Sequence, residues 1–344
     1  MNKLRSAHRK HKKDKRWKKW TLNILLLLIV IVIGLGIYLF NQIYNAAQGS
    51  YKGLDRPSNK SELREQTVDI SDEPISILLI GTESYSSNGK NGRADTLIVV
   101  TLDPKDKELT MTSIPRDTRV EFTVKEAGKY AGFHKINAAY TYGSISGYGA
   151  NKLTVETVED LLDIPIDEYI TVNFEAFRDI VNALGGVTVD IKKGFWEKNI
   201  FNNDKRIYFE EGLERLNGEE ALAFVRMRKR DIAVEYTRME RQRQFIKAAI
   251  DQAISAGTIF KVGEISDIIS KNVKTSLKPS EIFALQQTYS SMDPTSIETF
   301  DIKGSNEMID GLSYFIPTEE GLNRVARQLK QILKLDSYST ESNG

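Results

Sequence analysis

The hydrophobic pattern divides the chain before any single residue is considered. Thr21–Phe40 reads TLNILLLLIVIVIGLGIYLF, twenty residues without a charge. As a helix rising about 1.5 Å per residue it would reach roughly 30 Å, the thickness of a bilayer's hydrocarbon core. A buried helix of a soluble domain rarely stays apolar for so long, so a transmembrane helix is expected over 21–40. A cleaved signal peptide has a shorter apolar region, about 7–15 residues, and a small-x-small site. Here only Asn45-Ala46-Ala47 remotely fits one, which favours an uncleaved anchor.

Beyond the span, residues 41–71 mix Gln, Asn, Ser, Gly, Lys and Glu with Pro57 and few large apolar side chains. This composition predicts an extracytoplasmic stalk. The body, 72–335, begins with Ile75–Ile80 and Thr96–Leu102, apolar runs rich in β-branched residues, as in strands buried on both faces. Leu109–Ile114 follows with partial alternation. The spacing then predicts helices at Lys135–Tyr142 and Asn151–Leu162 and a strand at Tyr169–Asn173. A helix at Phe174–Leu184 is closed by Gly185-Gly186, and a strand follows at Val187–Ile191. Further helices are expected at Glu219–Val225, Tyr236–Ala256, Pro279–Ser291 and Thr318–Leu333, with a strand near Ile297–Ile302. Strands interleaved with helices predict an α/β fold with a mixed central sheet covered by helices. The last residues, 336–344, form a polar tail.

Charge sharpens the division. The 344 residues carry a formal net charge of +1, which excludes a nucleic-acid protein driven by bulk basicity. That total conceals ten lysines and arginines against one aspartate in 1–20, and 38 basic against 46 acidic side chains in the rest. The basic flank resists translocation, so it stays cytoplasmic while the acidic body emerges outside. The expected protein is therefore a single-pass membrane protein with a cytoplasmic N-terminus. Trp17, Trp20 and Tyr38 are placed for the two interfaces. With no cysteine, thiol nucleophiles, zinc-thiolate sites and disulfides are excluded. Only His134 lies in the body, which leaves no multi-histidine metal site.

Three segments carry candidate chemistry. Gly81-Thr82-Glu83 ends the first strand and Gly92-Arg93-Ala94-Asp95-Thr96 begins the second, so Glu83 and Asp95 could converge. Two carboxylates suit a hard divalent cation whose remaining ligands are water and substrate phosphate. Acidic residues also flank many strand ends with no metal. No GxxxxGK[ST] phosphate loop is present. The second segment, Ser113-Ile114-Pro115-Arg116-Asp117-Thr118, places an arginine and an aspartate at a strand exit, where ordinary surface charge is the alternative. The third comprises Ala221–Arg228 and Thr237–Ile246. In its second helix Phe245, Ile246, Ala249, Ile250, Ala253 and Ile254 form an apolar stripe, and steps of three and four extend it back to Gln242 and Arg238. An arginine on the buried face near a helix N-terminus must find an anion. Arg226 and Arg228 could face the same way if their segment is extended. Either a buried arginine–carboxylate network or an anionic ligand would serve, and guanidinium forks match phosphate oxygens in particular.

In order, the stretches ILLIGTE, GRADT, LTMTSIPRDT, HKINAAYTYG, VNFEAFRDIVNALGGVTVDI, LNGEEALAFVRMRKRD and TRMERQRQ closely resemble the LytR-CpsA-Psr family of cell-wall assembly enzymes. The likeness covers about residues 74–255 by motif and the whole chain by layout. It implies a mixed sheet wrapped by helices around an apolar cavity for a polyprenyl chain. It also implies metal binding by Glu83 and Asp95, with Mg²⁺ or Mn²⁺ as the ion. Lipid pyrophosphate would be held by Arg93, Arg116, Arg226, Arg228 and Arg238, with Gln242 beside them. The chain departs from the family in having Glu83 where Asp is usual, Ala94 where Ser is usual, and Val234-Glu235-Tyr236-Thr237 in place of a Gly-Asp-Phe-Gly-like stretch.

The implied reaction is phosphotransfer of an anionic glycopolymer, teichoic acid foremost, from a polyprenyl-pyrophosphate carrier to a peptidoglycan hydroxyl outside the membrane, with N-acetylmuramic acid as the expected acceptor. Arg116 would stabilise charge, and Asp95 or Asp117 would accept the hydroxyl proton, a choice that the residues leave open. The rival readings are a hydrolase of the same lipid pyrophosphate and a non-catalytic lipid-pyrophosphate sensor or scaffold.

Overall fold

The computed structural model describes residues 41, 44–45, 48–57, 60–83, 91–228, 236–255, 268–270, 272–289, 293 and 296–335. The basic tail, the expected span at 21–40 and the tail at 336–344 lie outside them. Among the described residues no helix is long and apolar enough to cross a membrane.

Six strands form the central sheet. They are β1 (Ile75–Glu83), β2 (Arg93–Asp103), β3 (Glu108–Ser113), β6 (Glu168–Asn173), β11 (Val273–Thr275) and β12 (Glu298–Asp301), in the order β11-β6-β1-β2-β3-β12. The sheet is mixed, because β1 pairs antiparallel with β2 and parallel with β6. Both faces of the two middle strands are covered, as their unbroken apolar runs require. Leu78, Ile80, Leu97 and Val99 point into one core, closed by α3 (Ala150–Leu162) and α8 (Glu319–Ile332) through Val155, Val158, Val325 and Leu329. Ile77, Ile98 and Val100 point into the other.

On that second face lie α4 (Phe174–Ala183), α5 (Gly218–Arg226) and α6 (Arg238–Ser255). Helix α4 starts where Asn173 Oδ1 accepts from the Ala176 amide at 2.8 Å, and it gives way to Gly185 and Gly186, both at positive φ. Helix α5 starts on a capping box: Asn217 accepts from the Glu219 and Glu220 amides while Glu220 Oε2 accepts from the Asn217 amide at 2.8 Å. Its first residue must be glycine, since a Cβ on Gly218 would stand 2.1 Å from the Arg178 carbonyl oxygen of α4. The two helices therefore pack closely, and β7 (Val187–Ile191) with β10 (Gly212–Leu216) extends their core through Val187, Val189 and Leu216.

Several elements differ from expectation. Lys135 ends a strand rather than starting a helix: β4 (Arg119–Phe122) and β5 (Gly132–Lys135) form a hairpin, and helix α2 begins only at Ala139, ending at Ser146. Pairing with Arg119 across the ladder overrides the local helical pattern. Two more hairpins, β8 (Phe195–Lys198) with β9 (Arg206–Phe209) and β13 (Gly304–Ile309) with β14 (Leu312–Pro317), were not anticipated, because their apolar runs, at 207–209 and 314–316, are only three residues long. Part of the expected stalk lies against the body: Arg56 pairs with Glu159 at 2.6 Å and Arg64 with Asp167 at 2.7 Å, all four side chains less than one-tenth exposed.

Candidate active site

The register of β1 and β2 places the first carboxylate. Gly81 pairs with Thr96 and Thr82 with Ala94, so Asp95 is the extra residue of a β-bulge. Bulges re-aim side chains, and this one turns Asp95 toward the loop after β3. There Arg116 Nη1 pairs with Asp95 Oδ1, and Asn137 Nδ2 donates to the same oxygen at 3.3 Å. Glu83 lies opposite Arg93 at the same end of this strand pair. Arg93 itself is exposed.

Asp117, next to Arg116, accepts from Lys135 Nζ at 2.9 Å. Burial alone would raise its carboxyl, but the Lys135 hydrogen bond and the positive charges of Arg116, Lys135 and Arg228 outweigh that and hold it below the ordinary carboxylate range. A carboxylate so stabilised is a weak proton acceptor.

The remaining arginines come from the α5–α6 corner. Arg226 closes α5, so the extended segment on which it and Arg228 could have faced the same way does not begin before it, and its guanidinium carbon is 5.1 Å from the Phe174 ring centroid. Arg228 is exposed just beyond. Arg238 opens α6 and its Nη2 donates to the Asp95 carbonyl oxygen at 2.9 Å, while Gln242 Nε2 donates to Thr96 Oγ1 at 2.9 Å. Burial pulls Arg238 down to about 10; the Asp95 charge opposes this, and the neighbouring Arg116 and Arg228 charges add to it. Among the described residues Arg93, Arg226, Arg228 and Arg238 form no ion pair, and of the five predicted arginines Arg116 alone pairs with carboxylates. Among the described residues these four arginines therefore lack a carboxylate partner, and they form a set of crowded cations suited to an anion.

Two cavities meet at this cluster. One, of about 270 Å³, is the more polar of the two, mixing charged and polar side chains such as Arg116, Asp117 and Asn306 with apolar ones such as Met239 and Phe315. The other, of about 470 Å³, is apolar and runs between the sheet face at Leu79, Ile98 and Ile170 and the helices at Phe177, Phe245 and Ile250. Asp95, Thr96, Arg228, Arg238 and Gln242 line both. The predicted stripe on α6 is thus a cavity wall at Phe245, Ile246, Ala249 and Ile250; the side chains of Ala253 and Ile254 lie outside the description. An amphiphile with an anionic head and a long apolar tail matches this shape.

Among the described residues no group of three or more histidine, aspartate or glutamate side chains gathers as a metal cage. Asp95 lines both cavities and Glu83 lines neither, but both are hard oxygen donors at the same end of the β1–β2 pair, the chemistry that Mg²⁺ or Mn²⁺ takes when water and phosphate fill the remaining positions.

Sequence reasoning missed three participants. Lys135 was expected on a helix. Asn137, only 3% exposed, holds both Asp95 and, through its amide, the Arg116 carbonyl oxygen at 3.2 Å. Arg241, fully buried, donates to the carbonyl oxygens of Phe224, Tyr236 and Met227. It stands three residues after Arg238 and four before Phe245, so helical spacing puts it on the buried side as well, although the stripe was extended only through Gln242 and Arg238.

Comparison with known proteins agrees with this architecture. The chain is 45% identical over 304 residues to the polyisoprenyl-teichoic acid–peptidoglycan teichoic acid transferase TagV of Bacillus subtilis, covering 88% of this chain and 75% of that one. The crystal structure of B. subtilis TagV matches with a TM-score of 0.64 at 44% identity, over 76% of this chain and 98% of that chain. The LytR-CPS2A-psr family protein YwtF (TagT), solved with bound octaprenyl pyrophosphate lipid, matches with a TM-score of 0.63 at 29% identity, over 83% and 100%. The model of the LytR_cpsA_psr family matches residues 37–331. The chain belongs to the LytR-CpsA-Psr family.

Proposed function

We propose that this protein transfers an anionic glycopolymer of the teichoic acid class from a polyprenyl-pyrophosphate carrier to a hydroxyl of peptidoglycan, with N-acetylmuramic acid as the acceptor sugar. The observation that carries the reading is the shared wall of the two cavities, where Asp95, Thr96, Arg228, Arg238 and Gln242 face a polar space on one side and an apolar space on the other. The polyprenyl tail lies in the apolar cavity and the pyrophosphate lies against the arginines. Similarity to TagV, named as a teichoic acid transferase, and to YwtF (TagT), which binds octaprenyl pyrophosphate, supports the same assignment.

Phosphoryl transfer depends mainly on positioning and on neutralising charge that develops on oxygen. Arg116, Arg226, Arg228 and Arg238 provide that field, with Arg93 at its exposed edge. Desolvation strengthens it, because charges in a partly buried site are less screened than in water. Asp95 orients Arg116 and lines both cavities, and that position assigns it the hydroxyl proton in this reading. Glu83 and Asp95 would hold Mg²⁺ or Mn²⁺, which supplies further charge neutralisation at the phosphates when bound. The basic tail and the span at 21–40 anchor the protein with this body on the outer side of the membrane.

Purified lipid-linked polymer, incubated with peptidoglycan and the full-length protein, tests the reading. Polymer phosphate covalently attached to glycan is expected, and Arg116→Ala should abolish it. Free polymer would identify a hydrolase, and binding without turnover a sensor. Mn²⁺ binding followed by electron paramagnetic resonance tests the metal separately: Glu83→Gln should weaken it, and unchanged binding would remove Glu83 from the ion.

A further inference from the structure

The apolar cavity sets the direction in which a displacement at phosphorus must run. A polyprenyl tail held among α4, α6 and the sheet leaves its own phosphate at the cavity mouth, beside Arg226 and Arg238. In-line displacement then requires the attacking oxygen on the opposite side of the reacting phosphorus. The part of the polar cavity that the apolar one does not share is walled in part by Arg116, Thr237 and Met239, and Pro115, Asp117, Asn306 and Phe315 line it as well.

Asn306 and Phe315 are register partners in the β13–β14 hairpin. The Phe315 amide donates to the Asp117 carbonyl oxygen at 2.9 Å, and Thr118 bridges to Phe315, so the hairpin is fixed to the loop that carries Arg116. Beside it the β4–β5 hairpin sets Arg119 opposite Lys135. Like charges directly across a ladder are unfavourable. Lys135 is compensated by Asp117 at 2.9 Å. Arg119 forms no ion pair among the described residues: its guanidinium lies 3.6 Å from the Phe133 ring centroid and 6.0 Å from that of Tyr314, and its Nε is buried without a hydrogen-bond partner. Phe133 is 48% exposed, an aromatic surface next to a cation that lacks an anion.

We infer that these two hairpins form the acceptor face of the enzyme, a step that rests on the transferase reading above. The occupant is a peptidoglycan strand. Its sugar rings offer apolar faces to Phe133, and its lactyl or peptide carboxylates complement Arg119. The reacting hydroxyl enters the polar cavity past Asn306. Its oxygen forms a bond to the phosphorus that carries the polymer, the bond from that phosphorus to the bridging oxygen of the lipid phosphate breaks, polyprenyl phosphate departs on the cavity side, and the hydroxyl proton passes to Asp95 and from there to solvent.

Steady-state transfer by the full-length protein, with a soluble undecorated peptidoglycan oligosaccharide as acceptor, tests this face. Arg119→Gln and Asn306→Ala should each raise the acceptor KM about tenfold and leave the donor KM within about twofold. An unchanged acceptor KM, or an equal rise in both constants, would overturn the inference. Asn306 is an exposed hairpin residue, so its variant keeps the test open if the Arg119 variant folds poorly. Calorimetric titration of the same oligosaccharide requires no turnover. Binding at least fivefold weaker in Arg119→Gln supports the face, and equal binding, or no binding by the unaltered protein, overturns it. Arg119-dependent binding without any transfer would instead sink the proposed reaction and leave the face standing.

Discussion

Arg241 Nε donates to the Phe224 carbonyl oxygen at 3.0 Å, joining the last turn of α5 to the first turns of α6. The two Nη atoms of the same guanidinium take the carbonyl oxygens of Tyr236 and Met227. Helix ends leave carbonyls without intrahelical partners, and here one buried cation satisfies three main-chain acceptors, Phe224 just before Arg226 and Met227 and Tyr236 between Arg226 and Arg238. The corner that presents the site's arginines is thus held by an arginine that faces away from it.

Arg241→Met retains length and apolar volume but leaves these acceptors unpaired. At about 1–3 kcal/mol for each buried polar group left unsatisfied, a loss of roughly 3–5 kcal/mol is expected in denaturant unfolding. Arg241→Lys, with one donor group in place of a fork, should fall between. A change under about 0.5 kcal/mol would show that the corner is held by other contacts.

Arg238 presents the opposite case. It is desolvated and crowded by the charges of Arg116 and Arg228, so removing it relieves repulsion as well as a hydrogen bond. Arg238→Ala is expected to leave folding stability within about 1 kcal/mol of the parent while lowering transfer about 10²–10³-fold, the usual effect of removing one donor to a developing oxyanion. Thermal melting and transfer assays on one preparation check both halves. A melting loss as large as that of Arg241→Met would mark Arg238 as structural.

Ala249 lines the apolar cavity from α6. Ala249→Trp should fill much of the space available to a long lipid. Affinity for octaprenyl pyrophosphate should drop more than tenfold, while geranyl pyrophosphate, held mainly by its phosphates, should change less than threefold. Parallel calorimetric titrations decide this, and equal losses for both chain lengths would move the tail elsewhere.

Glu168 opens β6 with its Oε2 buried and lacking a hydrogen-bond partner, and burial, assisted by the charges of Glu281 and Asp167, pushes its carboxyl up to about 7 from an ordinary 4.5. A raised carboxyl holds its proton in the folded state after the unfolded chain has lost it. Its contribution is therefore complete below about pH 4.5 and is lost as pH rises toward 7, on the order of 2–3 kcal/mol. Glu168→Gln should be more stable than the parent at pH 7.5 and should flatten the dependence between pH 5 and 7. Parallel curves for the two proteins would show that the group titrates normally.

Much of the body was legible because burial on both faces writes itself as long apolar runs. Ile75–Ile80 and Thr96–Leu102 emerged as the two central strands, and Val187–Ile191 as a strand with those bounds. Asn173 and the Gly185-Gly186 pair bracket α4 by cap chemistry that local sequence carries. The β13–β14 hairpin was missed although Asp310-Gly311, both at positive φ, is a two-residue turn signal. Its first strand is largely exposed and so lacks the alternation that a buried face imposes, and the second is half-buried without alternating. Lys135 was misassigned for another reason: its conformation is set by pairing with Arg119, and nothing within its own neighbourhood reports that.

The site divides along the same line. Periodicity alone placed Arg238 and Gln242 on the buried face of α6, because a helix fixes which residues share a side. The sequence by itself also determined the split between a basic terminus and an acidic body, the absence of thiol chemistry and the family likeness. Only the tertiary structure decided that Asp95 sits on a bulge facing Arg116, that Arg238 reaches the Asp95 backbone 143 residues away, and that polar and apolar cavities share one wall. Spacing reports a residue's face on its own element. Which faces meet depends on how the sheet and helices close around a common core, a property of long-range packing that no local window contains.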